Sequence, residues 1–389
     1  MGANVSGTSR TTADVGIDLK PSSNVAMFDL TLSGVTRSST TAVASRATIY
    51  TSGFHKFLAR KEVAFDGERF RTAREATISV DANNTTTGAS TNYDGGLFSG
   101  YARGRAMQEA NARRGQSEAI AAQRIRERVL PEFNREATRE IARANQSFGD
   151  ELNKQLKEAG ILPTARSVRT SDTHLSMSSR VMGKGELSGG ISNATLQAGN
   201  GLTVHLHESL LNNVFDRMNF SGRIMSDEEV RKEIEAYLAT LTGRKRKLDK
   251  KSKASEEDAG PQNFVFAKQD PIRFRIQDGT LNLIIRSGFQ REAKDDIPTQ
   301  MITLPLSFRV EGNQIAIERG DIRVEPVARL KSTTEQIAYA RAIIKRIESS
   351  FPSRKRSREL MIKQKGKADL ALNITKFKAL NGWLTVWAQ

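Results

Sequence analysis

The sequence predicts an α+β protein: antiparallel β-sheets packed on long amphipathic α-helices. Three observations carry this expectation. The segment from Arg103 to Gly160 keeps a helical period throughout. Most of the chain on either side alternates apolar and polar residues, as strands with one buried face do. Asp-Gly and Asn-Gly pairs punctuate those runs where tight hairpin turns belong.

The helical segment places Ile120, Ile125, Val129, Phe133, Ile141, Phe148, Leu152 and Leu156 at steps of three, four and seven, which align them on one stripe. Arg124, Arg128, Arg135, Glu136, Arg139 and Glu140 fall on the opposite, wetted face. Pro131 interrupts the stripe at a cost of ~3 kcal/mol in a helix interior. Either a helix ends near Val129 and another starts at Pro131, where proline is tolerated, or one helix kinks there. Gly160, followed by Pro163, stops the segment. The stripe covers a face of the surrounding sheet, or it forms a seam for a homo-oligomer.

Before this helix, Val15, Ile17 and Leu19, then Met27, Phe28, Leu30 and Leu32, then Val43 to Ile49 read as strands. Phe54, Phe57, Val63, Phe65 and Phe70 continue the pattern, with a turn at Asp66-Gly67. The run from Asp81 to Gly88 reads as a polar loop. After the helix, Leu175, Met177, Val181, Leu187, Ile191 and Leu196 suggest short strands, and Leu202 to Leu206 suggests a clear one. Glu208 to Phe215 forms a short amphipathic helix. Ser226 with Glu229 is a capping box opening a helix over Val230, Ile234, Tyr237, Leu238 and Leu241, with Gly243 as its stop.

A meander follows from Ile272 to Val324, turning at Asp278-Gly279 and near Gly312. Thr334 to Ser349 is a further amphipathic helix. The chain closes with a hairpin about Asn381-Gly382. The expected regions are 1–102, β-rich; 103–243, long helix with strands and a second helix; 244–263, a charged linker; and 264–389, meander, helix and hairpin. A helix, a basic or polar connector and strands recur three times without matching residue by residue, which marks a shared architecture rather than a repeat.

The net charge of +16 favours polyanionic partners: nucleic acid, anionic lipid or acidic polysaccharide. The basic residues nominated for such contact are Arg244, Lys245, Arg246 and Lys247 in the linker and Arg354, Lys355 and Arg356 in a second loop. No aromatic residue interleaves the linker run, which argues against base stacking. The chain contains no cysteine, so disulfides, thiol nucleophiles and thiolate metal sites are excluded. That absence leans toward an extracytoplasmic or cell-envelope location, with the cytoplasm still open. No apolar run is long enough for a transmembrane helix, and no signal peptide is visible. Gly2 with Ser6 fits the myristoylation pattern.

Catalytic motifs are missing: no Gly-x-Ser-x-Gly elbow, P-loop, dinucleotide fingerprint or His-Glu-x-x-His. His205 and His207, two apart on a strand beside Glu208, could begin a zinc site, but His55 and His174 are distant. A structural role for the pair is favoured. The expectation is a non-enzymatic protein with no cofactor and no metal.

The passage from Leu202-Thr203-Val204-His205-Leu206-His207 into Glu208-Ser209-Leu210-Leu211-Asn212-Asn213, set among long helices and meanders, resembles the tubular lipid-binding superfamily. The likeness covers residues 105–325 and rests on pattern. It implies a curved sheet around a long helix, with an apolar groove lined by Phe133, Phe148, Leu210 and Phe215. The expected function is therefore an envelope-associated binding or scaffold protein, holding a lipid or engaging an anionic surface. The alternative is a polyanion- or nucleic-acid-binding structural protein.

Overall fold

The computed structural model describes residues 4–189, 199–242, 262–291, 295–328, 332–362 and 369–389. These divide into two compact units, Met1–Leu152 with Arg166–Ser178, and Asn153–Ala165 with Ser179–Gln389. The boundary drawn from sequence at 102/103 falls inside the first unit, where the helical segment joins the N-terminal sheet.

In the first unit, β1 (Asn4–Lys20), β2 (Ala26–Val43), β3 (Ala47–Phe65), β4 (Phe70–Arg71) and β5 (Thr77–Thr91) form one antiparallel sheet. β3 is central, pairing with β2 along its whole length and with β5 on the other side. β1 pairs with β2 throughout. Helices α1 (Ser99–Ala112) and α2 (Arg114–Asn145) follow, and a π-helical turn over Gln146–Leu152 ends the run. Pro131 lies inside α2. The interruptions fall at Arg113 and at Gln146 instead.

β3 shows why the sheet has two unlike faces. Its odd residues from Gly53 to Phe65 are buried, and its even residues point away from them. Ala59 packs with Ala76 and with Phe133 of α2. Phe65 packs with Ala26 and Val168, and Phe70 and Phe148 close over that cluster. Phe57 lies across Gly34, where a Cβ would come within 2.2 Å of its ring. Buried Lys61 donates from Nζ to Asn134 Oδ1 on α2. Helix α2 thus covers one face of the sheet and leaves the other open.

The second unit starts with α3 (Asn153–Glu158). A two-stranded hairpin, β6 (Ala165–Thr170) and β7 (Leu175–Arg180), returns the chain to the first unit and supplies Val168. Then come β8 (Leu202–His207), α4 (Glu208–Arg217), β9 (Ile224–Met225) and α5 (Asp227–Thr242). β10 (Gln262–Phe266), β11 (Ile272–Gln277), β12 (Thr280–Arg291), β13 (Ile297–Glu311), β14 (Gln314–Arg319) and β15 (Arg323–Pro326) follow. After α6 (Thr333–Ser350) come β16 (Arg354–Ser357), β17 (Glu359–Ile362), β18 (Leu370–Leu380) and β19 (Trp383–Ala388). An eight-stranded sheet runs β16-β14-β13-β12-β10-β9, with β11 on β12 and β15 on β13; a four-stranded sheet runs β17-β18-β19-β8.

The eight-stranded sheet carries the main core: Phe264, Phe266, Ile285, Phe289, Ile302 and Leu304, closed by Ile343 and Ile347 of α6 and by Phe220 and Met225. Buried Arg346 threads this core with its guanidinium 4.9 Å from the Phe264 centroid and 5.4 Å from that of Phe289. It reaches Asp227 at 2.6 Å, tying α6 to the start of α5.

The expected fold class is corrected. Strand accounts for 48% and helix for 29%, with four antiparallel sheets among the described residues, so the architecture is mainly β with helices packed on the sheets. Part of the shortfall lies in strands read as irregular: residues 1–13, small and polar and expected to be a frayed end, hold the start of β1 at Asn4. Asp81–Gly88, read as a loop, belongs to β5, and Arg354–Ser357, read as a basic loop, is edge strand β16. Neither stretch alternates apolar with polar residues; in β5 the inward-facing Asn84 meets Ser117 and Glu118 of α2 through hydrogen bonds instead of apolar contact.

The turn and cap signals did translate. Asn381 and Gly382 both take positive φ (51° and 83°), as a type I′ hairpin turn requires, and Asp278-Gly279 does the same. Ser226 Oγ accepts from the Glu229 N–H at 3.3 Å while Glu229 accepts from the Ser226 N–H at 2.7 Å, closing the capping box.

Ile302, fully buried in the main core, and Ile337, 48% exposed on α6, give a direct contrast. Ile302→Ala is expected to cost about 2–5 kcal/mol in urea denaturation, and Ile337→Ala about 0.5 kcal/mol or less. Equal losses would contradict the assigned core.

Candidate functional site

The four residues nominated for an apolar groove divide between the two units, two in each. Phe133 and Phe148 pack in two separate clusters of the first unit. Leu210 and Phe215 lie on α4 in the second unit, where Phe215 packs 4.9 Å from Phe274 and 6.2 Å from Phe220, centroid to centroid. Arg244, Lys245, Arg246 and Lys247 lie outside the described residues. Arg354, Lys355 and Arg356 form β16, in register with β14. Lys355 is neutralised by Glu311 at 2.8 Å, and this bond holds the Glu311 carboxyl below its usual range.

His207, His205 and His55 are held within the fold. His207 caps α4: its Nδ1 accepts the Ser209 N–H at 3.2 Å, and its ring packs edge-on to Trp383 at 4.8 Å. A Cβ at Gly382 would lie 2.8 Å from that ring, so glycine is needed there for close approach as well as for the turn. His205 Nδ1 lies 2.9 Å from Thr385 Oγ1, and the Glu208 carboxylate accepts the Ile276 N–H at 2.5 Å. His55 is buried in the first sheet, with Nε2 3.4 Å from Ser38 Oγ. Among the described residues, no cluster of three potential ligands is arranged for a metal.

Two features of the first unit emerge only from the fold. The first is the open face of the sheet. Near one end of that face the charges are matched: Lys20 pairs with Asp29 at 2.8 Å and Glu62 at 3.0 Å, and Arg60 approaches Asp18 and Asp29. Farther along, Arg10 stands opposite Arg37 in register, and Arg37 opposite Phe54. The Arg37 guanidinium and the Lys56 ammonium both lie against the Phe54 ring, at 5.7 and 5.8 Å.

The second is the far end of the sheet, where β1 begins, β2 turns into β3 and β5 ends. Asn4 pairs with Val43 and Ala47 with Thr91. Asn92 Nδ2 donates to the Ser45 carbonyl at 3.2 Å, holding the segment after β5 beside the β2–β3 turn. Asp94 anchors that segment to the Arg103 guanidinium at 2.9 Å, which holds its carboxyl below the usual range. With its polar groups tied inward, the segment presents Tyr93 (63% exposed), Leu97 (101%), Phe98 (75%) and Tyr101 (73%) to solvent. Val5 and Val43 are also half exposed there. A Cβ on Gly95 or Gly100 would meet nothing within 4 Å, so the chain is open to solvent at these two positions. Helix α1 has no buried residue.

No protein-family model matches the chain. No curated protein matches it. Among solved structures it is similar to one described as the crystal structure of lipopolysaccharide binding protein. Identity is 10% and the TM-score 0.30, with 100% of this chain and 91% of that one covered. No helix among the described residues is long and apolar enough to cross a membrane.

Burial lowers the affinity of His55, His205 and His207 for protons. Each therefore takes up a proton in the unfolded chain at a higher pH than in the fold, and stability declines as pH falls through the ordinary histidine value of 6.5. Carboxyls held low by their partners, such as Glu118 by the Asn84 N–H and Glu186 by Arg217, add losses only below about 4.5. The urea midpoint is expected to drop between about pH 7 and pH 5, less steeply in His207→Gln. A flat midpoint over that window would contradict buried neutral imidazoles.

Proposed function

We propose that the chain is a non-enzymatic protein that attaches to anionic lipid surfaces through the far end of its first sheet. The observation that carries this reading is the exposure of Tyr93, Leu97, Phe98 and Tyr101 together on one glycine-bordered segment. Single exposed apolar side chains are ordinary; a contiguous group of two aromatic rings with a polar tip, a phenyl ring and a leucine is a contact surface. Tyrosine suits the headgroup layer, with its ring in the apolar zone and its hydroxyl in water. Burying Leu97 and Phe98 would stabilise attachment by about 1.5–3 kcal/mol each.

Charge supports the same orientation. Arg46 lies in the β2–β3 turn, and Arg103, Arg105, Arg113 and Arg114 follow the apolar segment; Arg103, Arg113 and Arg114 are paired with Asp94, Glu109 and Glu118. Basic residues beside an anionic leaflet contribute about 1 kcal/mol each, reduced where a neighbouring acid already pairs them. The overall charge of +16 adds long-range attraction that salt will screen. An envelope location accords with this reading and with a chain that has no cysteine. A lipid held within the fold, as the superfamily resemblance implies, has the sequence pattern as its support.

Flotation with vesicles tests the proposal. Binding to vesicles containing phosphatidylglycerol is expected to exceed binding to phosphatidylcholine vesicles and to weaken in high salt. Leu97→Ser with Phe98→Ser should lower partitioning by at least about tenfold, in line with the loss of two buried apolar side chains. Equal flotation of the wild-type and double variant would refute attachment through this segment.

A further inference from the structure

We infer that Arg10 and Arg37 form a fork that binds a phosphate group on the open face of the first sheet, with Lys56 as an auxiliary cation. The two arginines are direct cross-strand partners on β1 and β2. Like charges placed directly opposite in an antiparallel pair repel, so the arrangement is unfavourable unless an anion sits between them. Both side chains are exposed, and neither has an ion-pair partner among the described residues. Asp14 on β1 is four residues from Arg10, roughly 13 Å along an extended strand.

The rest of the same face shows that this is a local arrangement. Lys20 and Arg60 each meet carboxylates, and Asp29 is buried between them. The sheet therefore neutralises cations near one end and leaves a facing pair open farther along. The two arginines lie with Thr8, Ser9, Ser38 and Ser39 around a depression of about 320 Å³. That is ample for a phosphate, and the Thr8 and Ser39 hydroxyls, which alternate onto the same face as the two arginines, offer donors to oxygens the guanidinium groups do not engage. Guanidinium suits this ligand because its parallel N–H groups match two phosphate oxygens at once.

Phe54 limits the motion of the fork. Its ring lies directly across from Arg37 in register, with the Arg37 guanidinium 5.7 Å and the Lys56 ammonium 5.8 Å from its centroid. Lys56 stands opposite Asp81 in register, so its charge is partly offset and its part is secondary. The ligand class is a phosphomonoester or polyphosphate, carried either by a soluble molecule or by a lipid headgroup.

The site does not depend on the apolar segment, and the test keeps the two separate. Full-length protein carrying Leu97→Ser and Phe98→Ser is titrated with inorganic tripolyphosphate by calorimetry and, in parallel, with phosphatidic acid vesicles by flotation. In that background Arg10→Gln with Arg37→Gln should weaken binding of at least one probe by about tenfold or more, as loss of bidentate contacts predicts. Arg60→Gln, on the same face, should change it by less than about twofold. Binding of tripolyphosphate that depends on the fork identifies a soluble ligand; dependence seen only with vesicles identifies a headgroup. Either result supports the site. Absence of binding to both probes, or equal weakening by Arg60→Gln, overturns it. Circular dichroism of each variant separates lost binding from lost folding.

Discussion

The strict alternation along β3 is the constraint from which the first unit follows. Residues Gly53 to Phe65 bury every second side chain against the helical side, and hydrogen bonding on both edges fixes their register. A slip by one residue would send Phe57, Ala59, Val63 and Phe65 into water and bring Phe54, Lys56 and Arg60 inside. That penalty pins β2 and β5 as well. It leaves a second face with no apolar cover, free to carry charge and hydroxyl groups. The proposed phosphate fork and the exposed apolar end both belong to what this one-sided packing leaves uncovered.

The second unit uses the same chemistry for closure. Its large apolar residues converge between the eight-stranded sheet and α6, and among the described residues the one buried charge in this unit is Arg346, supported by two phenyl rings and Asp227. Removing one member of a buried pair is costly because the other is left without compensation. Its histidines are likewise engaged, His207 in capping a helix and His205 with Thr385. Stability dominates the roles assigned in this unit, while the surfaces proposed for contact lie in the first.

The sequence was most informative where structure depends on local chemistry. Asn381-Gly382 and Asp278-Gly279 need positive φ, and Ser226 with Glu229 completes its own cap, so each could be read without a partner. Legibility failed where a strand has no apolar face. The first half of β1 is small, polar and exposed, and β5 beyond Val80 is rich in threonine and asparagine, so neither stretch has the apolar alternation that marks a strand. The Arg10–Arg37 pair was hidden for another reason: residues 27 apart in sequence become neighbours only once the register is known. Leu97 and Phe98 carried no signal of their own, because apolar residues in sequence do not disclose which side of the fold they will occupy. The basic tracts drew attention through density alone, and in Lys355 that charge is met by Glu311.

A chain without cysteine permits a direct measurement of attachment. Phe98→Cys and, as a control on the open face, Ser52→Cys can each be labelled with an environment-sensitive fluorophore and mixed with anionic vesicles. The account predicts a blue shift and protection from aqueous quencher at position 98, with little change at position 52. A label at position 98 that stays fully accessible to quencher while the protein floats with vesicles would contradict attachment through the apolar end.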